Sequence, residues 1–531
     1  MIFSNSILFL QYKFYIKIYA IDYMDYKFVI PSHNRVDIIK EKTLSTLERY
    51  SIPKNLIYIF VAEECYEDYK NSLDNKYNLI KSVEGVSNNR MFISNYFEDR
   101  QKIVTLDDDI SAINLLNTKD KCLDEVNTNS FKLLIDHIFN SLEKENCSLA
   151  GIYPVNNHFF MREGYTQKLT FCIGQFRCFI NDRWCELRQF NLLEDYETTM
   201  RYFLKYNKVL RFNYVSVQAN YLTLKGGMNS NTDRSRIAKE IEVDMFRHRY
   251  YQFCNIKNTT KRYDIKFYNN ITKGYKKEVV NTLWIGDTLN ELTRLAIKSW
   301  ILLGYKVHLW IYDPVQDPLL DNENIELMDA NEIHRLNVGD CVKKEILPFS
   351  DLWRYKLLYN NGGIWLDADM ILLQRIFDDD IIISSEYTMK SGAYKSHRDN
   401  VANIGVLKFK KKNNEFLKKV IDKIYDSKRK AEFCDNMRLF QRQIKDSGEY
   451  DNYVVAPRVY CPIPWWQCRE QYYNKDYKMK YAVETPTNDY IIRTASGIHL
   501  WNNFTYNKHK IDFNKILDNS MYSLLIRLIM N

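Results

Sequence analysis

No two cysteines stand in C-x-x-C spacing, although 11 are scattered along the 531 residues. An odd total without paired spacing argues against a complete disulfide framework and places the chain in a reducing compartment, the cytoplasm. A long apolar run is also missing. Residues 1–23 contain Ile7 to Leu10 and further apolar positions, but Gln11, Lys13 and Lys17 interrupt any span of membrane length. Neither a basic n-region nor a small-residue cleavage site is present, so no stable membrane span is expected; residues 1–24 read as an extension outside the fold, with Met24 as a plausible true start. Charge of one sign is scarce too: 75 basic against 67 acidic residues leave +8. Clusters such as Lys410, Lys411 and Lys412 then read as solvated faces, and nucleic-acid binding is permitted but not signalled. What is abundant is apolar mass. Hydrophobic residues make up 46% and aromatics 15%, which excludes disorder, and the length calls for two or three domains.

The most informative stretch runs from Ser350 to Leu373. Ser350 reads as a helix N-cap and Asp351 as an acid at the positive end of the helix dipole. Leu352, Tyr355, Leu358 and Tyr359 recur at helical spacing up to Gly362 and Gly363, where glycine ends the helix. Ile364, Trp365 and Leu366 then make a short buried parallel strand, and Asp367 and Asp369 stand at its carboxyl end. Alternation turns both to one side, where two hard oxygen ligands suit Mg²⁺ or Mn²⁺ completed by substrate phosphates. Asp351 and Arg354, three residues apart, share a helix face: a carboxylate for sugar hydroxyls and a guanidinium for an anion.

This stretch resembles the glycosyltransferases with a D-x-D sugar-binding region, among them mannosyltransferases, capsule-synthesis enzymes and, more distantly, clostridial toxin glucosyltransferase domains. Asn281 to Gly286 resembles the family's opening strand, Leu289 to Tyr305 its first helix, and Val307 to Asp313 its second strand. The resemblance implies that Trp284 stacks on the uracil of a UDP-sugar and that Asp351 and Arg354 grip the donor sugar. Asp367 would serve the ribose and the metal's water shell, Asp369 the metal itself. Asn403 would lie near the donor sugar. Ser496 to Asn502 resembles the closing segment, with His499 as a metal ligand and Trp501 reaching the diphosphate.

The first half repeats this logic. Tyr26 to Ile30 is a strand, residues 31–35 a turn, Asp37 to Tyr50 a helix, and Asn55 to Val61 a second, parallel strand that ends at Glu63. Ligands of open α/β sheets collect at that edge. After Gly85 a helix carries Arg90, and the strand Lys102 to Leu106 delivers Asp107, Asp108 and Asp109 to its carboxyl end. Asp107 and Asp109 are the candidate metal ligands, and the fixed donors of Arg90 suit a diphosphate. Residues 25–235 resemble the GT-A-like glycosyltransferase domains associated with TET-type base oxidases, on Ile30 to Arg35, Val61 to Glu63, Ser87 to Arg90 and Leu106 to Ile110. That resemblance places Arg35 and Glu63 around the donor nucleotide. It also makes Asp195, opening a helix, the base that takes the acceptor hydroxyl proton, a task that suits a positioned carboxylate. Residues 226–233 read as a glycine-containing lid.

The expectation is an α/β chain with two GT-A-like (Rossmann-like, mostly parallel sheet) domains in tandem. They span residues 25–235 and 279–531, with a helix and linker over 236–278 between them. An insert from Arg458 to Tyr477, with Trp465 and Trp466, offers an aromatic platform for an acceptor sugar or plain core packing. The expected function is bifunctional, metal-dependent transfer of sugars from nucleotide-sugar donors, UDP-sugars first, to a glycan or glycoprotein acceptor, with Mn²⁺ or Mg²⁺. Two rival readings accompany it: the first half glycosylates modified nucleic-acid bases, or one half is a silent carbohydrate-binding module.

Overall fold

A computed structural model describes residues 25–219, 233–259, 262–271, 275–336, 346–388, 400–427, 435–473 and 487–530. The 24-residue extension and nearly all of the expected lid lie outside the described residues. The chain divides into two compact units, Met1–Arg247 with Gln252–Tyr275, and His248–Tyr251 with Lys276–Asn531. Among the described residues no helix is long and apolar enough to cross a membrane.

In the first unit, strands β1 (Tyr26–Ser32), β2 (Ile57–Ala62), β3 (Asn78–Ser82) and β4 (Lys102–Leu106) lie side by side in the order β3-β2-β1-β4, all parallel. They are near-continuous apolar runs because both faces are covered: Phe28, Val29, Ile30, Ile59, Phe60, Val61, Ile103 and Val104 are fully buried. An antiparallel strand, β5 (Phe176–Ile180), continues the sheet beyond β4, and three more strands complete eight. Helix α1 (Val86–Tyr96) carries Arg90, and helix α2 (Glu194–Tyr206) opens with Glu194 and Asp195.

The second unit repeats the strand order. Strands β6 (Val279–Trp284), β7 (Lys306–Ile311), β8 (Ile325–Asp329) and β9 (Gly363–Leu366) form β8-β7-β6-β9, parallel throughout, and the antiparallel β10 (Asn400–Phe409) follows β9. Helix α3 (Ile346–Asn361) precedes β9. Gly362 at φ +67° and Gly363 at φ +100° end the helix, and a Cβ on Gly362 would stand 2.9 Å from the Lys410 carbonyl. Only glycine meets both conditions.

Two local expectations differ from the structure. Helix α3 begins upstream of Ser350, since Pro348 lies in its first turn, where a missing N–H costs nothing. Ser350 is therefore an interior residue, and Asp351 is not at the helix's positive end. The stretch read as a linker holds a hairpin, Cys254–Thr259 against Arg262–Phe267. Its charged outward positions mask the buried inward ones, Cys254, Ile265 and Phe267.

Candidate active site

In the second unit, Asp367 follows β9 at the carboxyl edge shared with Trp284, the last residue of β6. The aspartates do not alternate along a strand. They sit in a tight turn, closed by Met370 N donating to the Asp367 carbonyl at 2.9 Å, and converge from its two sides. The chain then pairs Met370–Leu372 antiparallel with Gly497–His499, Met370 opposite His499. Gly497 is obligatory there, because a Cβ would lie 2.6 Å from the Ile371 carbonyl. This pairing brings His499 Nε2 to 3.2 Å from Asp369 Oδ1 and 3.8 Å from Asp367 Oδ2. The three offer ligand atoms within 4.8 Å of one another.

Burial alone would lower the His499 pKa, but the Asp369 carboxylate outweighs it and raises it well above the ordinary range; Asp369 is lowered in turn, its own burial overcome by His499. An imidazolium between two carboxylates fills the electrostatic place of a cation, so the donor set fits a divalent ion. Two carboxylates suit Mg²⁺ or Mn²⁺, and the imidazole nitrogen favours Mn²⁺ of the two.

Arg354 Nη1 donates to Asp367 Oδ1 at 2.6 Å and to the Ile404 carbonyl at 3.1 Å; Nη2 reaches Ser350 Oγ at 3.1 Å and lies 3.3 Å from Asp351 Oδ1. Trp365 Nε1 donates to the same Asp367 oxygen at 3.0 Å. Arg354 thus orients Asp367, and its fork is largely engaged by the protein. Asp351, 7% exposed, has its pKa pushed up to about 7, by burial first and then against the pull of Arg354. Asn403 Oδ1 accepts from Gly405 N at 2.7 Å, and its Nδ2 donates to Glu386 Oε2 at 2.9 Å. Glu386, buried and raised to about 7 chiefly by that burial, was invisible in the sequence. It stands at the end of strand Ile381–Tyr387, joined to Asn403 only by antiparallel pairing with β10.

Trp284 is half-buried, with Nε1 donating to the Thr288 carbonyl at 3.1 Å. Trp501, at φ +55°, stacks on the His499 ring with centroids 4.0 Å apart and donates to the Ile463 carbonyl at 2.8 Å. A diphosphate would have to take that donor from the carbonyl. Trp465 and Trp466 are half-buried; Trp465 stacks on Phe504, with Lys508 over its ring.

In the first unit the parallel strands bring Arg35, Glu63 and the aspartate triplet to one sheet edge. Arg90 Nη2 donates to Asp107 Oδ1 at 3.1 Å, its Nε lies 3.4 Å from Glu194 Oε1, and Arg188 Nε donates to Glu194 Oε2 at 2.9 Å. Gly174 makes room for this, since a Cβ would sit 2.8 Å from Arg90 Nη1. Asp108, the middle residue, accepts from Ser32 Oγ at 2.6 Å and Arg35 Nη1 at 3.0 Å. Arg35 therefore holds the triplet in place. Glu63 points to solvent, 3.5 Å from Lys81.

Asp107 is raised by burial against the pull of Arg90, and Asp109 to about 6 by burial and then by Asp107 and Asp108. A cation between Asp107 and Asp109 would relieve that repulsion, so they fit one. Among the described residues no third His, Cys or carboxylate closes the group as His499 does. Asp195 is raised to about 7 by burial and then by Glu194, which Arg90 and Arg188 hold ionised at about 2 in spite of its own burial. Asp195 Oδ1 accepts only its neighbour's amide, Tyr196 N, at 2.9 Å among the described residues.

A turn at the carboxyl edge of a parallel sheet gathers two carboxylates and an imidazole, with an arginine locked onto one of them, a donor set that suits a divalent cation. Residues 311–388 match the family model described as glycosyltransferase sugar-binding region containing DXD motif. The second unit carries that region. No curated protein matches the chain. Among solved structures it is similar to the PaToxG glycosyltransferase, at 14% identity over 33% of this chain and 72% of that one, TM-score 0.25. Glucosyl-3-phosphoglycerate synthase from Mycobacterium tuberculosis, in complex with Mg²⁺ and uridine diphosphate, matches at 9% identity over 46% and 86%, TM-score 0.27. The mannosyltransferase PcManGT from Pyrobaculum calidifontis, in complex with GDP-Man and Mn²⁺, matches at 11% over 41% and 62%, TM-score 0.25, so the chain spans less than two thirds of it.

Proposed function

We propose that the chain is a bifunctional glycosyltransferase that moves sugars from nucleotide-sugar donors, UDP-sugars first, to a glycan or glycoprotein acceptor. The convergence of Asp367, Asp369 and His499 carries this reading. Those three residues would hold the divalent ion, which when bound neutralises the departing diphosphate. Arg354 fixes Asp367 so that its oxygens face the donor, and half-buried Trp284 supplies an apolar face for the base. Asp351, buried and titrating near neutrality, gives or takes a hydrogen bond at a donor-sugar hydroxyl, while the Asn403 and Glu386 pair borders the same space. Among the described residues Asp351, Asp367, Asp369 and Glu386 each have an arginine, amide or imidazole partner, which agrees with retention of configuration in the second unit.

In the first unit, Arg90 and Asp107 with Asp109 would form the donor site. Asp195 would take the proton from the acceptor hydroxyl as the new C–O bond forms, giving inversion. A second reading is favoured by one observation, the lack of a third ligand beside Asp107 and Asp109 among the described residues: the first unit binds sugar without transferring it. A donor-hydrolysis screen across nucleotide sugars decides. Asp369→Asn and Asp107→Asn should each silence one activity and spare the other. If Asp369→Asn leaves every hydrolysis unchanged, the assignment of the second unit falls; if no activity depends on Asp107, the sugar-binding reading of the first unit stands.

A further inference from the structure

The first unit holds another cluster of metal-ligating side chains that the transferase reading does not use. His33 directly follows β1, and Glu64 and Cys65 directly follow β2 in a single helical turn, Glu63–Cys65. Because β1 and β2 pair in parallel with Ser32 opposite Val61, these turns are neighbours. His33 Nδ1 lies 3.5 Å from Cys65 Sγ and 3.7 Å from Glu64 Oε1, and the three groups offer ligand atoms within 4.8 Å of one another.

Bond lengths to zinc near 2.3 Å for sulfur and 2.0–2.2 Å for nitrogen and oxygen, at tetrahedral angles, require about 3.6 Å between S and N and about 3.4 Å between N and O. The observed separations come within a few tenths of an ångström of both. The side chains of His33 and Glu64 are 43% and 53% exposed, which gives an ion a way in, while Cys65 is buried beneath them.

Asn34 ties the cluster together. It adopts φ +51°, rare for a residue with a side chain, and its amide bridges two of the three groups. Oδ1 accepts the Cys65 thiol proton at 3.0 Å, and Nδ2 faces His33 Nε2 at 3.3 Å. Half a turn of this amide reverses both bonds: Nδ2 then donates to a thiolate, and Oδ1 accepts from a protonated Nε2. That tautomer frees the Nδ1 lone pair for an ion, the kind of outer support that ligating histidines receive. One side chain therefore serves the thiol and the thiolate form alike. Glu64, Asp68 and Glu84 surround Cys65 with negative charge that draws in a cation.

We propose that His33, Glu64 and Cys65 form a cation site for a borderline-soft divalent ion of the Zn²⁺ class, separate from the aspartate centres. Binding moves the Cys65 thiol proton to solvent and shifts the His33 proton from Nδ1 to Nε2, so one proton leaves per ion and no electron is transferred. The fourth position stays open to water or a ligand. The proposal is independent of the transferase reading.

Cobalt(II) titration of the reduced, metal-free full chain tests it, because a thiolate ligand gives a thiolate-to-cobalt charge-transfer absorption that oxygen and nitrogen ligands do not. The expected result is a band that saturates at one equivalent, is bleached by Zn²⁺, disappears in Cys65→Ser, and weakens about tenfold or more in affinity in His33→Ala. It should persist in Asp369→Asn. No band in the wild type, or an undiminished band in Cys65→Ser, overturns the proposal. Should Cys65→Ser fail to fold, His33→Ala decides alone, and unchanged cobalt affinity there overturns it equally.

Discussion

Arg354 donates to Asp367 at 2.6 Å while its guanidinium lies 4.8 Å from the centre of the Trp365 ring, so the aspartate is clamped by a side chain that is itself stacked in place. A lysine would keep the charge and lose the flat, forked geometry. Arg354→Lys should therefore lower second-unit turnover by about 10- to 100-fold, with the larger change in kcat, as expected for a partner that orients a ligand. Steady-state donor hydrolysis on the two proteins measures this.

Gly405 is a second device of the same centre. A Cβ there would meet Asn403 Oδ1 at 2.9 Å and both Asp367 Oδ2 and His499 Cε1 at 3.3 Å. Gly405→Ala should weaken Mn²⁺ affinity by about tenfold or more while the melting temperature changes little. Calorimetric titration of Mn²⁺ into each protein checks it.

Asp351 makes stability depend on pH. Its ordinary pKa of 3.8 applies to the unfolded chain, and about 7 to the folded one. Between those values the folded form binds more protons, so this group's contribution to stability falls as pH rises through that window. Asp351→Asn removes the effect. The variant should gain stability relative to wild type between about pH 4 and pH 8, read from urea unfolding at both ends.

Asp195 predicts a rate profile. A base with its pKa near 7 is active only when deprotonated, so first-unit kcat/KM should rise with pH and level off above about neutrality. Asp195→Asn should cost on the order of 10²- to 10⁴-fold and flatten that limb. Transfer by the first unit that ignores this substitution would remove Asp195 as the base.

Two glycines separate strain from crowding. Gly362 and Gly448 both have positive φ, but only Gly362 has backbone atoms where a Cβ would go. Gly362→Ala should cost roughly 1–3 kcal/mol and more than Gly448→Ala, by chemical denaturation.

Much of this was legible in the sequence because it is local. The end of α3, the strand β9 and the placement of both aspartates at its carboxyl end follow from Gly362, Gly363 and an apolar run within a dozen residues, whereas the turn that makes them converge was read as strand alternation. The strand edges that carry Arg35, Glu63 and Asp107 follow from the same logic in the first unit. What escaped depends on contacts distant in sequence. Glu386 meets Asn403 through an antiparallel register, and the role of Asp108 as the partner of Arg35 and Ser32 is set by β1 and β4 lying side by side. Ser350 misled because serine is a favoured N-cap residue, whereas the helix already runs from Ile346. The hairpin after residue 253 escaped because charged residues alternate with its few apolar ones.

His499 reaches Asp369 across 130 residues of sequence. During synthesis, a nascent chain that has not yet extended past Gly497 possesses both aspartates but no imidazole to complete them. Whatever its degree of folding by then, such a fragment would lack the imidazole, so the proposed cation centre can close only once residue 499 has been made.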